Sequence, residues 1–526
     1  MPQIHRRQFV RRGLLFLAAT RLRGAAPAAE GPQEPIAAGP FEPALDSLKQ
    51  YQAPQWFRNA KFGIWAHWSP QCVPEQGDWY ARNMYIQGSA QYDYHVAHYG
   101  HPSKFGYKDI CRLWKAENWD PEGLIQLYKK AGAKYFVALA NHHDGFDCWN
   151  SARQAWNSVN MGPKMDIIGT WARVARQHDL PFGVAAFSAQ NWKWFNVSHD
   201  SDKTGPLRGV PYDGNLTKTD GAGQWWKGYD PQDLYDRPHA NDDPPPTDYV
   251  LNFFHRTKDL IDQHRPDLVF FCDSGLPLGD TGVRLAAHLY NSSALWNHGK
   301  IEAVIINKDV PPDLRQALVW ERLPNDEIGP SPWLMDICIG DWHYKRDITY
   351  KSAEDVVPYL VDTVSKNGNL LMNIPIRPDG AIDDREIAVL QEIADWMKVN
   401  GEAIFDTRPW KIFGEGPTRS PQVDFPYRDV QYTPEDIRFT SNAGVLYAVA
   451  LSWPDNGTLL IKSLARHSPY SQGEITSVVL LGSDAKLEWT RDQNGLAIVL
   501  PKRKPCRYSY SFRILQGQAP GRALRS

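Results

Sequence analysis

Two carboxylates and three histidines have the types and spacing to do chemistry. Asp273 ends the run Asp267-Leu-Val-Phe-Phe-Cys-Asp273, in which four apolar residues, Leu268 to Phe271, lie between Pro266 and the pair Gly275 and Pro277. That pattern reads as a short strand buried on both faces. A carboxylate at the C-terminal end of such a strand is a candidate nucleophile, although Asp-Ser-Gly is also ordinary turn composition. Glu321 closes a second short run, Leu318-Val-Trp320. Glycoside hydrolysis needs two carboxylates flanking a sugar ring, about 5–5.5 Å apart when configuration is retained. Asp273 and Glu321 could supply them, and so in principle could Asp78, Asp144, Glu302 or Asp341, because spacing alone does not choose.

The histidines also fall at strand ends. His67 follows Lys61-Phe-Gly-Ile-Trp-Ala66, and His142-His143 follow Lys134-Tyr-Phe-Val-Ala-Leu-Ala140. Neighbouring residues in a strand point to opposite faces, so His142 and His143 are poorly arranged to chelate one ion. Where the backbone bends at a strand end, both rings can still reach one ligand. No zinc spacing, nucleophile elbow or phosphate-binding Gly-Lys-Ser/Thr loop is present, and the chain is expected to need no metal and no cofactor.

The elements that must position these residues alternate. Asp120 is a good N-cap with Pro121 at the first helical position, and Leu124, Leu127, Tyr128 and Ala131 share one helical face. Asp166 opens a second helix, and Pro181 to Phe187 reads as a strand that runs into Ser188-Ala-Gln-Asn-Trp192. Residues 196–247 are a long polar insertion, of a length that is usually functional or mobile. A helix over about 248–263 leads into the Asp273 strand. Glu302 to Asn307 and Leu318 to Glu321 are further strands, Ser352-Ala-Glu-Asp355 is a capping-box start, and Asn369 to Pro375 is the last strand. Strands alternating with helices and ending in His, Asp, Glu or Asn predict an α/β chain built as an irregular (β/α)8-like TIM barrel. Seven strands are legible and the second is missing. An open doubly wound sheet is disfavoured, since no Gly-x-Gly-x-x-Gly follows the first strand. Beyond about residue 410 short strands alternate with turns and no helix intervenes, which predicts a C-terminal all-β sandwich of roughly 110 residues. The expected division is a leader over 1–28, a catalytic barrel over 40–408 and a β-sandwich over 409–520.

The leader has a basic start, His5-Arg6-Arg7-Gln8-Phe9-Val10-Arg11-Arg12, then a short apolar run, then Ala25-Ala26-Pro27-Ala28-Ala29. That is the form of a bacterial export signal of twin-arginine type. A periplasmic or extracellular location is therefore expected. No segment approaches the ~20 apolar residues of a membrane span, so none is expected in the mature protein. A net charge of −2 gives no reason to expect nucleic acid as a partner. The 21 Trp, 23 Tyr and 20 Phe suit a carbohydrate ligand, because flat rings stack on sugar faces, and suit a large core equally. Six widely spread cysteines suggest free, buried thiols. The assembly state is left open.

The segments Lys61 to Trp68, Asn141 to Phe146, Asp267 to Pro277, Lys366-Asn-Gly-Asn-Leu-Leu-Met-Asn-Ile-Pro375 and Asn400-Gly-Glu-Ala-Ile-Phe-Asp-Thr-Arg-Pro-Trp410 occur in one order. Together they resemble glycoside hydrolase family 29, the α-L-fucosidases, over about residues 45–415. The resemblance implies an exo-acting, retaining, metal-free hydrolase of terminal α-L-fucosyl residues on oligosaccharides or glycoconjugates. It makes Asp273 the nucleophile, sets His67, His142 and His143 on the fucose hydroxyls, and lines the pocket with Trp79. Val319-Trp-Glu321-Arg322, upstream of Pro332-Trp333 and Cys338-Ile-Gly-Asp-Trp342, resembles the family form in which a Glu-Arg pair carries the acid/base, which assigns that role to Glu321. Asp78 and Trp192 complete the expected substrate-binding set. Three positions depart from the family. Asp78 stands where Glu is frequent, Gly183 to Trp192 lacks the usual Tyr or His, and Cys272 replaces a polar residue. The first two touch the sugar pocket, so a retaining glycosidase for a related sugar such as an α-L-galactoside remains an alternative. A non-catalytic fucose-binding protein on the same scaffold is the other.

Overall fold

The computed structural model describes residues 34–308, 310–321, 326–419, 430–471 and 473–517. The expected leader, and Arg322 beside Glu321, lie outside them. Residues 34–36 are irregular, and every described element belongs to the compact unit that begins at Ala37.

Eight parallel strands close into a barrel: β1 (Phe62–Ala66), β2 (Phe136–Asn141), β3 (Phe182–Ala186), β4 (Leu268–Ser274), β5 (Val304–Lys308), β6 (Val319–Glu321), β7 (Trp333–Cys338) and β8 (Gly368–Asn373). Closure is made by β1, which pairs with β2 (Ile64 opposite Phe136) and with β8 (Ile64 opposite Met372). The strands are apolar on both faces because one side fills the barrel and the other meets helices. Inward residues such as Trp65, Val137, Leu139, Phe187, Phe270, Ile306 and Leu334 form one core cluster.

The helices start where their caps predict. In α1 (Pro121–Lys130) the Asp120 side chain accepts from Gly123 N at 2.9 Å, and in α2 (Ile167–Gln177) Asp166 accepts from Gly169 N at 2.7 Å. α3 (Thr247–His264) precedes β4, and α4 (Asp280–Trp296) follows it. α5 (Ala353–Ser365) opens on the reciprocal bonds of Ser352 and Asp355, and α6 (Asp384–Asn400) follows β8. No helix is present among the described residues between β5 and β6 or between β6 and β7, which is what makes the barrel irregular.

The expected strand count needs one correction. The run Phe136–Asn141 lies directly beside β1, so no strand is missing in second place. The strand not recognised is β7, Trp-Leu-Met-Asp-Ile-Cys, where Asp336 interrupts an otherwise apolar run. Asp336 faces the barrel interior, with Leu334 and Cys338 of the core cluster two residues to either side.

The 196–247 insertion is anchored by buried polar groups. Asp213, 1 % exposed, accepts from Tyr85 Oη at 2.6 Å, Tyr235 Oη at 2.8 Å and Lys108 Nζ at 2.9 Å, tying the insertion to the connection between β1 and β2. The C-terminal strands form two antiparallel sheets. The strands are β9 (Arg408–Glu415), β10 (Ile437–Asn442), β11 (Val445–Ala450), β12 (Thr458–Ile461), β13 (Ile475–Leu480), β14 (Glu488–Arg491), β15 (Leu496–Val499) and β16 (Tyr510–Gln516); one sheet has the order β13-β16-β11-β10-β9 and the other β12-β15-β14. Ile437, Phe439, Ala448 and Phe512 of the first share a core with Leu459, Ile461 and Ile498 of the second, a sandwich. The sandwich joins the barrel through a buried ion cluster. Asp362 of α5 accepts from Arg438 Nε of β10 (Ile437–Asn442) and from Lys366 Nζ, each at 2.6 Å. None of the six cysteines is in a disulfide. Cys272 and Cys506 are half-buried and the other four are buried.

Candidate active site

The C-terminal ends of the strands gather the predicted residues at one mouth of the barrel. Trp65 points inward, so His67, two residues on, does too. Its backbone N donates to Asn373 Oδ1 at 2.9 Å, which ties the ends of β1 and β8 together. β2 ends in a register shift against β3 between Leu139 and Asn141, and Asn141 Oδ1 accepts from Phe187 N and Ser188 N at 2.9 and 3.2 Å. That kink releases His142 and His143 from strand alternation.

The two rings present opposite hydrogen-bonding faces. Gln71 Nε2 is 2.9 Å from Asp144 Oδ2 and 3.0 Å from His142 Nδ1, so it donates to both and His142 Nδ1 is an acceptor. The His142 proton then sits on Nε2, which faces Asp78 Oδ1 at 4.0 Å. His143 Nδ1 lies 2.6 Å from Phe187 O and must donate to it, leaving Nε2 as an acceptor. Burial lowers the pKa of His143, against the opposing pull of Phe187 O and Asp273, and keeps the ring neutral. One ring offers N–H and its neighbour a lone pair, a pairing suited to sugar hydroxyls, which both donate and accept.

Asp78 gathers the remaining histidines. Its Oδ1 is 2.7 Å from His343 Nδ1 and 4.0 Å from Nε2 of both His67 and His142. The outer nitrogen of His343 is 2.8 Å from Ser69 Oγ. Ligand atoms of His67, Asp78 and His142 all lie within 4.8 Å of one another, close enough to converge on one hydroxyl or one cation. Trp79 has left-handed backbone (φ 66°) and meets Trp194 edge-on at 5.9 Å. Trp194 also lies 5.5 Å from His142 and 5.6 Å from His143, ring centre to ring centre. Trp192 sits differently. Its ring stacks on His239 at 3.8 Å and donates to Asp243 O at 3.0 Å, under the insertion.

Asp273 owes its position to a β-bulge. The β4–β5 register runs Phe270 opposite Ile306 and Phe271 opposite Asn307, then jumps to Ser274 opposite Lys308. Bulges re-aim side chains beside active sites. Here Asp273 N donates to Asn307 Oδ1 at 3.1 Å, and Gln190 Nε2, from the end of β3, donates to Asp273 Oδ1. Asp273 Oδ2 has no hydrogen-bond partner among the described residues. Burial raises the carboxyl's pKa, while Gln190 and the nearby His143 oppose the rise.

Glu321 lies on the other side of β5 from this group. Ser274, next to Asp273, and Glu321 are both paired with Lys308, on the two strands that flank β5. Lys308 Nζ is 3.2 Å from Glu321 Oε1 and 3.7 Å from Asp336 Oδ2. Burial first, then the negative charge of Asp336, pushes the Glu321 carboxyl well above its usual range, with Lys308 opposing. Burial raises both carboxyls, Asp273 against the Gln190 amide and Glu321 well above its usual range against Lys308.

The other carboxylates sort themselves out. Asp144 is fully buried and occupied by Gln71, Tyr107 Oη at 2.7 Å and Phe146 N at 3.1 Å. Glu302 precedes β5, at the opposite end of the barrel. Asp341 accepts from Trp342 N at 2.8 Å, and burial with Asp78 raises it to about 6. Reasoning from sequence did not single out Gln71, Gln190, Trp194, Lys308, Asp336 or His343. The signal for Lys308 was its place at the end of the Glu302 to Asn307 strand, and for Asp336 the apolar residues on both sides of it.

Comparison with known proteins agrees over nearly the whole chain. The family model described as Alpha-L-fucosidase matches residues 30–402, and that of the Alpha-L-fucosidase C-terminal domain matches residues 428–515. The human tissue alpha-L-fucosidase is 27% identical over 512 residues, 94% of this chain and 92% of that protein. An alpha-L-fucosidase of Branchiostoma floridae is 28% identical over 491 residues, 90% of this chain and 95% of that one. The crystal structure of Thermotoga maritima alpha-fucosidase in complex with fucose superposes with a TM-score of 0.69 at 25% identity, covering 90% of this chain and 100% of that one.

Proposed function

Because the chain belongs to the α-L-fucosidase family and is a glycoside hydrolase, we propose that it removes terminal α-L-fucosyl residues from oligosaccharides or glycoconjugates by double displacement. Asp273 Oδ2 attacks the anomeric carbon while Glu321 protonates the leaving oxygen, giving a covalent fucosyl-enzyme. Glu321, now a carboxylate, takes a proton from water, which attacks the same carbon and restores Asp273. His142 and His143 divide donor and acceptor duties toward the sugar hydroxyls, and Asp78 and His67 complete that wall. Trp79 and Trp194 supply an apolar face.

The observation that carries this reading is a donor-held Asp273 and a raised Glu321 at the ends of the two strands that flank β5. The test is hydrolysis of 4-nitrophenyl α-L-fucoside followed by NMR, which should show the retained anomer first. Undiminished turnover in Asp273→Gly, or an inverted first product, would refute it. A panel of aryl glycosides run alongside separates fucose from a related sugar, a reading favoured by the short arm of Asp78 and by the lack of the usual Tyr or His in Gly183 to Trp192. Fucose binding without hydrolysis of any member would instead favour a non-catalytic sugar binder.

No helix among the described residues is long and apolar enough to cross a membrane. The basic, apolar and small-residue order of the first 29 residues supports export by a twin-arginine route. Replacing Arg6 and Arg7 by Lys should trap the enzyme in the cytoplasm, and unchanged export would exclude that route.

A further inference from the structure

Glu321 shares its cation. Lys308, at the end of β5, lies within 4 Å of two carboxyls, Glu321 on β6 and Asp336 on β7. Asp336 sits inside the barrel, 4 % exposed, in a strand whose other inward residues, Leu334 and Cys338, are core. Among the described residues, the groups facing Glu321 include Lys308 from β5, Asp336 from β7 and the Cys272 thiol from β4. A buried carboxylate in a barrel core is costly unless something holds it. A Glu321–Lys308 pair alone would hold a dissociated, proton-poor glutamate, which is the wrong state for an acid at the first step.

We propose that Asp336 is a positioning residue for the acid: its carboxyl, hydrogen-bonded to Glu321 and within 4 Å of the same Lys308 ammonium, keeps the proton on Glu321 until the leaving oxygen arrives. The inference rests on the reading of Glu321 as acid/base. With one cation between two carboxyls, the three groups carry one net positive charge when Glu321 and Asp336 are both protonated and none when only Asp336 is ionised. A second ionisation would place two anions side by side in a poorly solvated site, which favours keeping a proton on Glu321. Once the proton has gone to the leaving group, the same repulsion makes the Glu321 carboxylate a better base for water in the second step. Asp336 acts on Glu321 directly, through a side-chain hydrogen bond, and through the shared Lys308.

The test is the pH dependence of kcat/KM for 4-nitrophenyl α-L-fucoside, whose basic limb reports loss of the Glu321 proton in the free enzyme. Asp336→Asn keeps the size of the side chain and removes its charge, leaving Lys308 to Glu321 alone. The basic limb should move down by on the order of one pH unit or more. Lys308→Met should move it up, and Asp336→Glu should restore it. A merely structural role for Asp336 would lower activity evenly across pH and leave the limb in place, and that result overturns the proposal. Should Asp336→Asn not fold, Lys308→Met carries the test, and a limb that stays or moves down overturns it. The premise is checked separately with Glu321→Ala. As the acid/base variant it should lose far more activity on a poor leaving group than on an activated one, and azide should restore turnover. A Glu321→Ala that behaves so while Asp336→Asn leaves the limb unmoved refutes the inference alone. A Glu321→Ala without leaving-group dependence or azide rescue refutes the underlying assignment.

Discussion

Gln190 is the residue through which the nucleophile can be tuned without being touched. Its amide donates to Asp273 Oδ1, and Asp273 Oδ2 has no bond among the described residues. The carboxyl is buried, and burial works to protonate it, with the Gln190 amide the largest of the influences that oppose this. Gln190→Leu removes the donor and keeps most of the side-chain volume. A hydrogen bond to a charged group is worth about 1.5–3 kcal/mol. Losing it destabilises the carboxylate relative to the acid, so the Asp273 pKa rises, by about 1–2 units at 1.36 kcal/mol per unit. The nucleophile must be ionised to attack, so the acidic limb of the kcat/KM profile should move to higher pH by that amount. The basic limb, set by Glu321, should stay. Above both limbs the loss should be much smaller than below them, because Asp273 is ionised there in either protein. Gln190→Glu makes the same argument with an added charge: a second carboxyl facing Asp273 raises its pKa further, and the limb should move at least as far. The assay is initial-rate hydrolysis of 4-nitrophenyl α-L-fucoside across pH, with intact folding verified by circular dichroism. An acidic limb that stays in both variants would mean that Gln190 does not hold the nucleophile, or that Asp273 is not the group titrating.

Two other perturbations follow from the geometry. Asp78→Asn removes the charge that His343 holds at 2.7 Å and that faces His67 and His142, so about 10–150-fold should be lost in kcat/KM for fucosides. An unchanged constant would place Asp78 outside the sugar site. Arg438→Met strips the buried Asp362 of one of its two cations, leaving Lys366, and should cost about 3–5 kcal/mol in urea unfolding. Arg438→Met combined with Asp362→Leu should recover most of that, and a double variant no more stable than the single would refute the ion-pair account.

How much of this was legible in the sequence depended on which residues carry their own signal. Strands and caps did: Asp120, Asp166 and Ser352 open helices where their side chains reach the third backbone N–H on. Asp273, Glu321, His67 and the His142-His143 pair were nominated because strand ends are where barrel chemistry sits, and the structure puts all of them at or just beyond the C-terminal ends of barrel strands. The insertion's polar texture gave its length and not its anchoring, since Asp213 meets Tyr85, Lys108 and Tyr235 only across long sequence separations. β7 was lost for an instructive reason. A buried strand is recognised by an unbroken apolar run, and Asp336 breaks it. The residue that hid the strand is the one that, through Lys308, faces the acid. Positions where local pattern contradicts the fold are where function is expected to override it. Lys308 makes the same point from the next strand but one, a charged residue closing β5 in the interior layer begun by Val304 and Ile306. Register, which no single strand contains, decides that Lys308 and Glu321 stand side by side and that Ser274, next to Asp273, pairs with Lys308. The candidate pair came from strand-end position and the family resemblance, because types and spacing left other carboxylates open. The cation between Glu321 and Asp336 needed the closed barrel.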